Sequence, residues 1–480
     1  MIHKKIHCAP LLIAAVVTVA QAGEASSVMA QDEAPSSSCF SNIGTYLDSP
    51  ASRCPLSYAG LTFFGNVDAG YGYEQWGVPL GLNAKKPNYG IVKNSAGTHW
   101  LWSPNALSTS VLGVTLDEKL IHGWRLIGVA EGGFNPYTGR PINGPLSLAD
   151  NNLKKIGQQT SNFDTSRNGQ WDNSQAFFGL SHPTYGTLTY GRTNAFSHSL
   201  LSVYDPVASV AFSQLGFSGA YAGFGVNSTT RVNTALTYRL SHDNLRFAVQ
   251  TQLGGYAQGN ATTAQTQVQF GADSGDLSFD GVLHIAKNAA AYASYSGGAI
   301  PAGYNPNAIL EATLSDTQGV QLMARYNYGR FRFYAGYIFV RMENPSDPHP
   351  YGFPTIAEGV FVPPGAVNSN AYVIPRLFQT AWTGLRYEVS NKVELASGVY
   401  WDNQNDYLPA PAVCKGTGSS TSSSKCAGGR YSYSILVNYK PLGRLELYAG
   451  VMVSTVYGGE ASGYLHSQNI DPTVGVRFLF

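Results

Sequence analysis

The last residues of the chain constrain it most. In Asp471-Pro472-Thr473-Val474-Gly475-Val476-Arg477-Phe478-Leu479-Phe480, the residues Val474, Val476, Phe478 and Phe480 fall on one face. Thr473, Gly475 and Arg477 fall on the other, because side chains of an extended strand alternate with period two. The sequence stops on an aromatic residue. An apolar edge strand left open in water invites aggregation. A membrane β-barrel removes that hazard, because its last strand pairs with its first and no edge remains.

Composition supports a barrel over the alternatives. Charged residues make up 12% of the 480 positions, about half the ~25% of ordinary soluble domains. Yet no internal stretch approaches the ~20 apolar residues of a membrane helix. The combination fits an apolar outer face and a polar, mostly uncharged lumen. The chain holds 53 Gly, 30 Tyr and 22 Phe, which supply turns and the aromatic girdles of the two membrane interfaces. A net charge of +1 gives no basic surface for nucleic acid.

The N-terminus reads as an export signal over residues 1–30. Lys4 and Lys5 precede the apolar run Leu11–Ala20, which is too short to span a membrane. Cleavage after Ala30 fits the small-x-small rule, with Ala22 as a competing site. Cys8 lies before the apolar run, where a lipoprotein cysteine would follow it. The other cysteines form the local pairs Cys39/Cys54 and Cys414/Cys426. Export places them where disulfides persist, and their spacings do not match zinc patterns. Two disulfides, Cys39–Cys54 and Cys414–Cys426, are the expectation.

Residues 31–60 are rich in Ser, Pro and Ala and read as an extension on the periplasmic side. From Leu61 to Phe480 the chain becomes a series of alternating segments of about ten residues, the length of a tilted transmembrane strand. Leu61–Glu74 stands first and Ile470–Phe480 last, with hairpins between them such as Ser108–Leu120 with Gly123–Phe134 and Tyr431–Lys440 with Arg444–Val456. Links within hairpins are short and carry turn formers, as in Pro183-Thr184, Ser274-Gly275 and Ser390-Asn391. Links between hairpins are long, as in 75–107, 135–172 and 194–230. Strict alternation of short and long connections predicts an antiparallel transmembrane barrel with periplasmic turns and external loops. The count comes to about 16 strands, a size that leaves an aqueous channel.

Several segments resemble the general porins of Gram-negative bacteria. Phe63-Phe64-Gly65-Asn66-Val67-Asp68-Ala69-Gly70 resembles their opening strand. Gln175-Ala176-Phe177-Phe178-Gly179-Leu180-Ser181 with Tyr185-Gly186-Thr187-Leu188-Thr189-Tyr190-Gly191-Arg192 resembles the fourth and fifth. Thr230-Arg231-Val232-Asn233 is similar to the start of the sixth, and Val474–Phe480 to the last, where a terminal Phe is usual. The resemblance implies a homotrimer in the outer membrane, in contact with lipid and lipopolysaccharide. It implies that the third external loop, here about 194–230, folds inward and narrows the channel. It also implies charges facing each other across that waist. Arg192 matches the arginine ending the fifth strand, Arg231 the one opening the sixth, and Glu131 a wall acid on the third. Asp205 is the only acid in the inward loop. The chain departs from the pattern at Val111, where the family often carries another arginine.

The expected function is passive diffusion of ions and small hydrophilic solutes. Opposed charges at a narrow, low-dielectric waist focus a field that orients water and dipolar solutes. Charge clusters also set ion preference. The alternative is a channel preferring sugars or small organic acids. The inward loop's aromatics Phe196, Tyr204, Phe212 and Phe217 would either stack on pyranose rings or pack the loop against the wall. A secreted β-rich adhesin is the remote alternative. No HExxH, nucleophile elbow or phosphate-cradling loop occurs, so the chain is read as no enzyme, with no metal and no cofactor.

Overall fold

The computed structural model describes residues 37–74, 99–104, 106–137, 139, 175–208, 211–217, 231–253, 264–289, 292–293, 311–312, 315–344, 346, 356–357, 360–361, 372–407, 426–461 and 466–480. Its core is one closed antiparallel barrel of 16 strands. In chain order these are β1 (Leu61–Glu74), β2 in two pieces (His99–Pro104 and Ser110–Lys119), β3 (Arg125–Phe134), β4 (Ala176–His182) and β5 (Gly186–Asn194). Then come β6 (Arg231–His242), β7 (Leu245–Gln252), β8 (Ala264–Ser274), β9 (Leu277–Ala289), β10 (Ser315–Tyr328) and β11 (Phe331–Glu343). The wall ends with β12 (Arg376–Glu388), β13 (Val393–Gln404), β14 (Gly428–Leu442), β15 (Leu445–Gly458) and β16 (Gln468–Leu479). Each pairs with its sequence neighbour, and β16 returns to β1, with Asn66 opposite Leu479 and Gly72 opposite Thr473.

Alternation explains the two faces. On β14, Tyr431, Tyr433, Ile435, Val437 and Tyr439 are exposed to the membrane side, while Ser432, Ser434, Leu436 and Asn438 are buried inside. On β16, Val474 and Val476 point out and Thr473 and Arg477 are buried, as the sequence predicts. A lipid-facing stripe needs no hydrogen-bond partners, because the backbone groups beneath it are paired between adjacent strands of the wall. The short turns follow from local chemistry. Gly329 joins β10 to β11 at φ +58°, a left-handed conformation that glycine adopts without strain.

The second strand departs from expectation. The alternation of short and long links places residues 99–104 within a long external loop, yet His99–Pro104 pairs with the outer half of β1. The other piece pairs with the inner half, Leu61 opposite Leu116 and Asn66 opposite Val111. The strand leaves the sheet between them. Pro104 has no N–H to continue the ladder. The Asp68 carboxylate takes over, accepting from the backbone N–H of Leu107 at 2.8 Å and of Ser108 at 2.5 Å. Tyr448 Oη, from β15, donates to its other oxygen at 2.7 Å. The displaced residues therefore bulge into the lumen, where Ala106 is buried.

The described part of the N-terminal extension is ordered. It contains α1 (Ile43–Asp48), started by Asn42, whose Oδ1 accepts from Thr45 N at 2.9 Å. The expected Cys39–Cys54 disulfide is present, with Cα atoms 5.8 Å apart. Cys414 lies outside the described residues, so the second expected pairing is not described; Cys426 is buried and disulfide-bonded.

Candidate pore constriction

After β5 the chain turns into the barrel. Phe196–Tyr204 form α2, nine residues long, too short to be a stable helix alone. Its position comes from the wall. Ser197 N donates to Gln267 Oε1 on β8 at 3.0 Å. Tyr204 Oη donates to Asp280 Oδ2 on β9 at 2.5 Å. Trp382 Nε1 on β12 donates to Tyr204 O at 2.9 Å, and Arg386 Nε to Pro206 O at 2.6 Å. Tyr400 Oη on β13 donates to Asp205 Oδ1 at 2.6 Å. Ser434 Oγ on β14 donates to Phe212 O. Ala211 N reaches Ala106 O, in the inward bulge of β2, at 2.7 Å. The segment is a belt tied around the inside of the barrel.

Apolar packing backs these bonds. Phe196, Leu200, Leu201, Tyr204, Val207, Phe212 and Leu215 join one cluster with wall residues that include Val282, Met323, Ile338, Trp382, Leu436 and Tyr448. The Phe212 ring meets Tyr448 edge-on at 6.2 Å between centroids. The Arg239 guanidinium of β6 lies 4.6 Å from the Phe196 ring centre, within cation–π range. Phe196, Tyr204 and Phe212 are thus covered by wall. The Phe217 side chain lies outside the described residues.

The charged candidates divide into two places. Glu131, Arg192 and Arg231 gather where β3 to β6 adjoin. Gln175, just before β4, joins them: its O accepts from Glu131 N at 2.9 Å and its Nε2 donates to Glu131 Oε1 at 3.0 Å. Its Oε1 accepts from Thr193 Oγ1 at 3.2 Å and Asn194 N at 3.0 Å. Arg192 is half-buried at a register shift between β5 and β6; such a bulge re-aims the side chains beside it. Arg231 pairs through its backbone with Asn194, and its side chain lies outside the described residues.

Asp205 sits apart from these, against β13. It is 1% exposed. Besides the Tyr400 bond it accepts from Val207 N at 3.1 Å. Burial pushes its carboxyl above the usual range, while bonds from Ser213, Tyr400 and Val207 oppose the shift. Burial and the Asp280 carboxylate push the Tyr204 hydroxyl up as well, so it stays protonated as the donor.

The sequence did not single out the belt's anchors. Trp382, Tyr400, Asp280 and Arg386 are all on the inner face of their strands, and that parity was the available signal. Asp280 also serves Arg246 of β7, whose Nη2 donates to Oδ2 at 2.9 Å while Nη1 pairs with Asp273. Among the described residues, no group of three His, Cys, Asp or Glu could hold a metal ion.

A sequence profile described as Gram-negative porin matches residues 13–456. No curated protein matches the chain in sequence. Among solved structures, the in-vitro folded outer membrane protein OmpT of Vibrio cholerae is similar with a TM-score of 0.52 and 14% identity, covering 89% of this chain and 99% of that one. Its trimer form matches with a TM-score of 0.52 and 13% identity, over 88% and 99%. The anion-selective porin from Comamonas acidovorans matches with a TM-score of 0.52 and 15% identity, over 88% and 99%. At such identities these structures share the fold.

Proposed function

The chain belongs to the Gram-negative porin family, and from that membership we propose a passive channel, not an enzyme, for ions and small hydrophilic solutes. It is an outer-membrane porin. The observation that carries the finer reading is the belt: a loop fastened along the inside of the wall takes up part of the lumen and leaves solutes a narrowed polar path.

In this reading Arg192, Arg231 and Glu131 supply the transverse field of the waist. Asp205 acts from the belt side by holding that belt in place. Phe196, Tyr204 and Phe212 serve the loop's packing. Residues 1–30 are the export signal, 31–60 a periplasmic extension and 61–480 the barrel. The assembly is a homotrimer in lipid and lipopolysaccharide; the similar OmpT of Vibrio cholerae has a trimer form.

Planar-bilayer recording tests this. The purified protein should give stepwise ohmic conductance, and a salt gradient should give a measurable reversal potential. Replacing both Arg192→Gln and Arg231→Gln should shift that potential toward cation preference, because two fixed cations leave the waist. An unchanged potential and conductance would overturn the site assignment; absence of any conductance would overturn the channel itself.

A further inference from the structure

The closing seam of the barrel carries a device that conduction does not require. The segment before β1 does not trail away. Leu56–Tyr58 pairs back on the start of β1, with Tyr58 opposite Leu61. The link between them is Ala59-Gly60, both at positive φ, 49° and 76°, as a tight hairpin turn of matching twist requires. The rest of the segment then crosses to the turn that joins β14 to β15. There Arg444 is fully buried. Its Nε donates to Tyr46 O at 2.8 Å and its Nη2 to Cys54 O at 2.5 Å. Its backbone N donates to Leu47 O at 3.1 Å. The guanidinium lies 3.9 Å from the Tyr46 ring centre. A side chain at Gly443 would collide with Asp48 O, so the turn and the extension fit closely.

Between these two attachments lies β16. Its end is bonded on both sides: Leu479 N donates to Arg444 O at 2.9 Å, and Phe480 exchanges bonds of 3.0 Å with Gly65. The extension therefore begins at β1, passes the end of β16 and fastens to the start of β15. It bridges the junction where the cylinder closes. The Cys39–Cys54 disulfide closes the bridging piece on itself, and both cysteines are buried.

We propose that residues 37–58 are a disulfide-locked clasp that staples the barrel's closing seam from the periplasmic side, with Arg444 as its catch. The carbonyls of Tyr46, Leu47 and Cys54 converge on Arg444 only while the loop between the cysteines is held compact. Opening the disulfide frees that loop, and the catch loses its acceptors together. Arg444 is a positioning residue, remote from the waist.

The experiment uses the full-length protein in detergent and follows the temperature at which the folded band converts to the unfolded one in gels. Wild type is compared with and without dithiothreitol, which becomes a cyclic disulfide as the cysteines become thiols. The C39S/C54S variant separates this pair from the other cysteines. Arg444→Met removes the catch while keeping its length. C39S/C54S and Arg444→Met should each lower the conversion temperature, and the combined variant should lower it no further than the larger single effect. Trypsin cleavage after the exposed Arg53 should be accelerated at least tenfold in both. Unchanged conversion temperature and cleavage in C39S/C54S would overturn the clasp. Additive losses in the combined variant would also overturn it, because lock and catch would then be independent. If a variant fails to fold, the cleavage rate of wild type with and without dithiothreitol decides alone, acceleration supporting the clasp and equality overturning it.

Discussion

Replacing Tyr400 by Phe removes one oxygen and leaves Asp205 buried at 1% exposure without the bond it accepts at 2.6 Å. A hydrogen bond to a charged group contributes about 1.5–3 kcal/mol. That corresponds to roughly 10- to 150-fold in the equilibrium between belt attached and belt released at this point. The wall itself does not depend on this hydroxyl, so the barrel should still fold. Single-channel recording should show new excursions to higher conductance, more frequent by a factor in that range, as the belt lifts from β13. The pH dependence has a definite sign. Burial raises the Asp205 pKa above its ordinary value, so the attached belt binds a proton more tightly than the released one. Attachment is then strongest at acid pH and weakens as pH rises from the ordinary carboxylate range through the raised value. Excursions in Tyr400→Phe should therefore decline on acidification. Records identical to wild type at neutral pH, or excursions that grow at acid pH, would refute the reasoning.

Other changes probe the same architecture. A side chain at Gly336 would collide with the Trp382 ring, so Gly336→Ala should disturb the Trp382 bond to Tyr204 O and raise open-channel noise while leaving the folded yield near wild type. Deleting Phe480 removes both seam bonds to Gly65; the folded fraction recovered from membranes should fall several-fold, read as the heat-modifiable band.

Much of the wall was legible because period-two alternation and turn residues are local. The two faces of β16 needed only neighbouring residues, while the inward course of the third loop came from the resemblance to general porins. The belt's fastenings were not legible, because each joins residues far apart: Tyr400 and Asp205 are 195 positions apart in sequence. Parity along β13 says that Tyr400 faces in, but not what it meets there. The break in β2 was missed for a related reason. Pro104 marks a stop, but the replacement partner, Asp68, belongs to another strand. In the extension, a Ser-, Pro- and Ala-rich composition concealed α1, while the cysteine spacing correctly indicated its cross-link.

The way the belt is fastened bears on how a loop can survive inside a wet lumen at all. A nine-residue helix cannot hold its shape by its own hydrogen bonds, and its carbonyls would be taken up by lumen water if the wall released them. Here bonds with β8, β9, β12, β13 and β14 are spread along the segment from Ser197 to Phe212, the helix and the residues after it. Each is modest, but releasing one leaves the neighbours in place, so the ordering entropy of the segment is recovered only when several fail together. Loss of one anchor should therefore appear as brief local excursions, not as a permanently widened pore. The buried cluster around Phe196, Leu201 and Phe212 strengthens that cooperativity, since apolar surface cannot be wetted at one point without exposing its neighbours. The belt is thus held by many weak ties to the wall strands, and if the proposed waist charges of β3, β5 and β6 act across it, they act against a belt of fixed position.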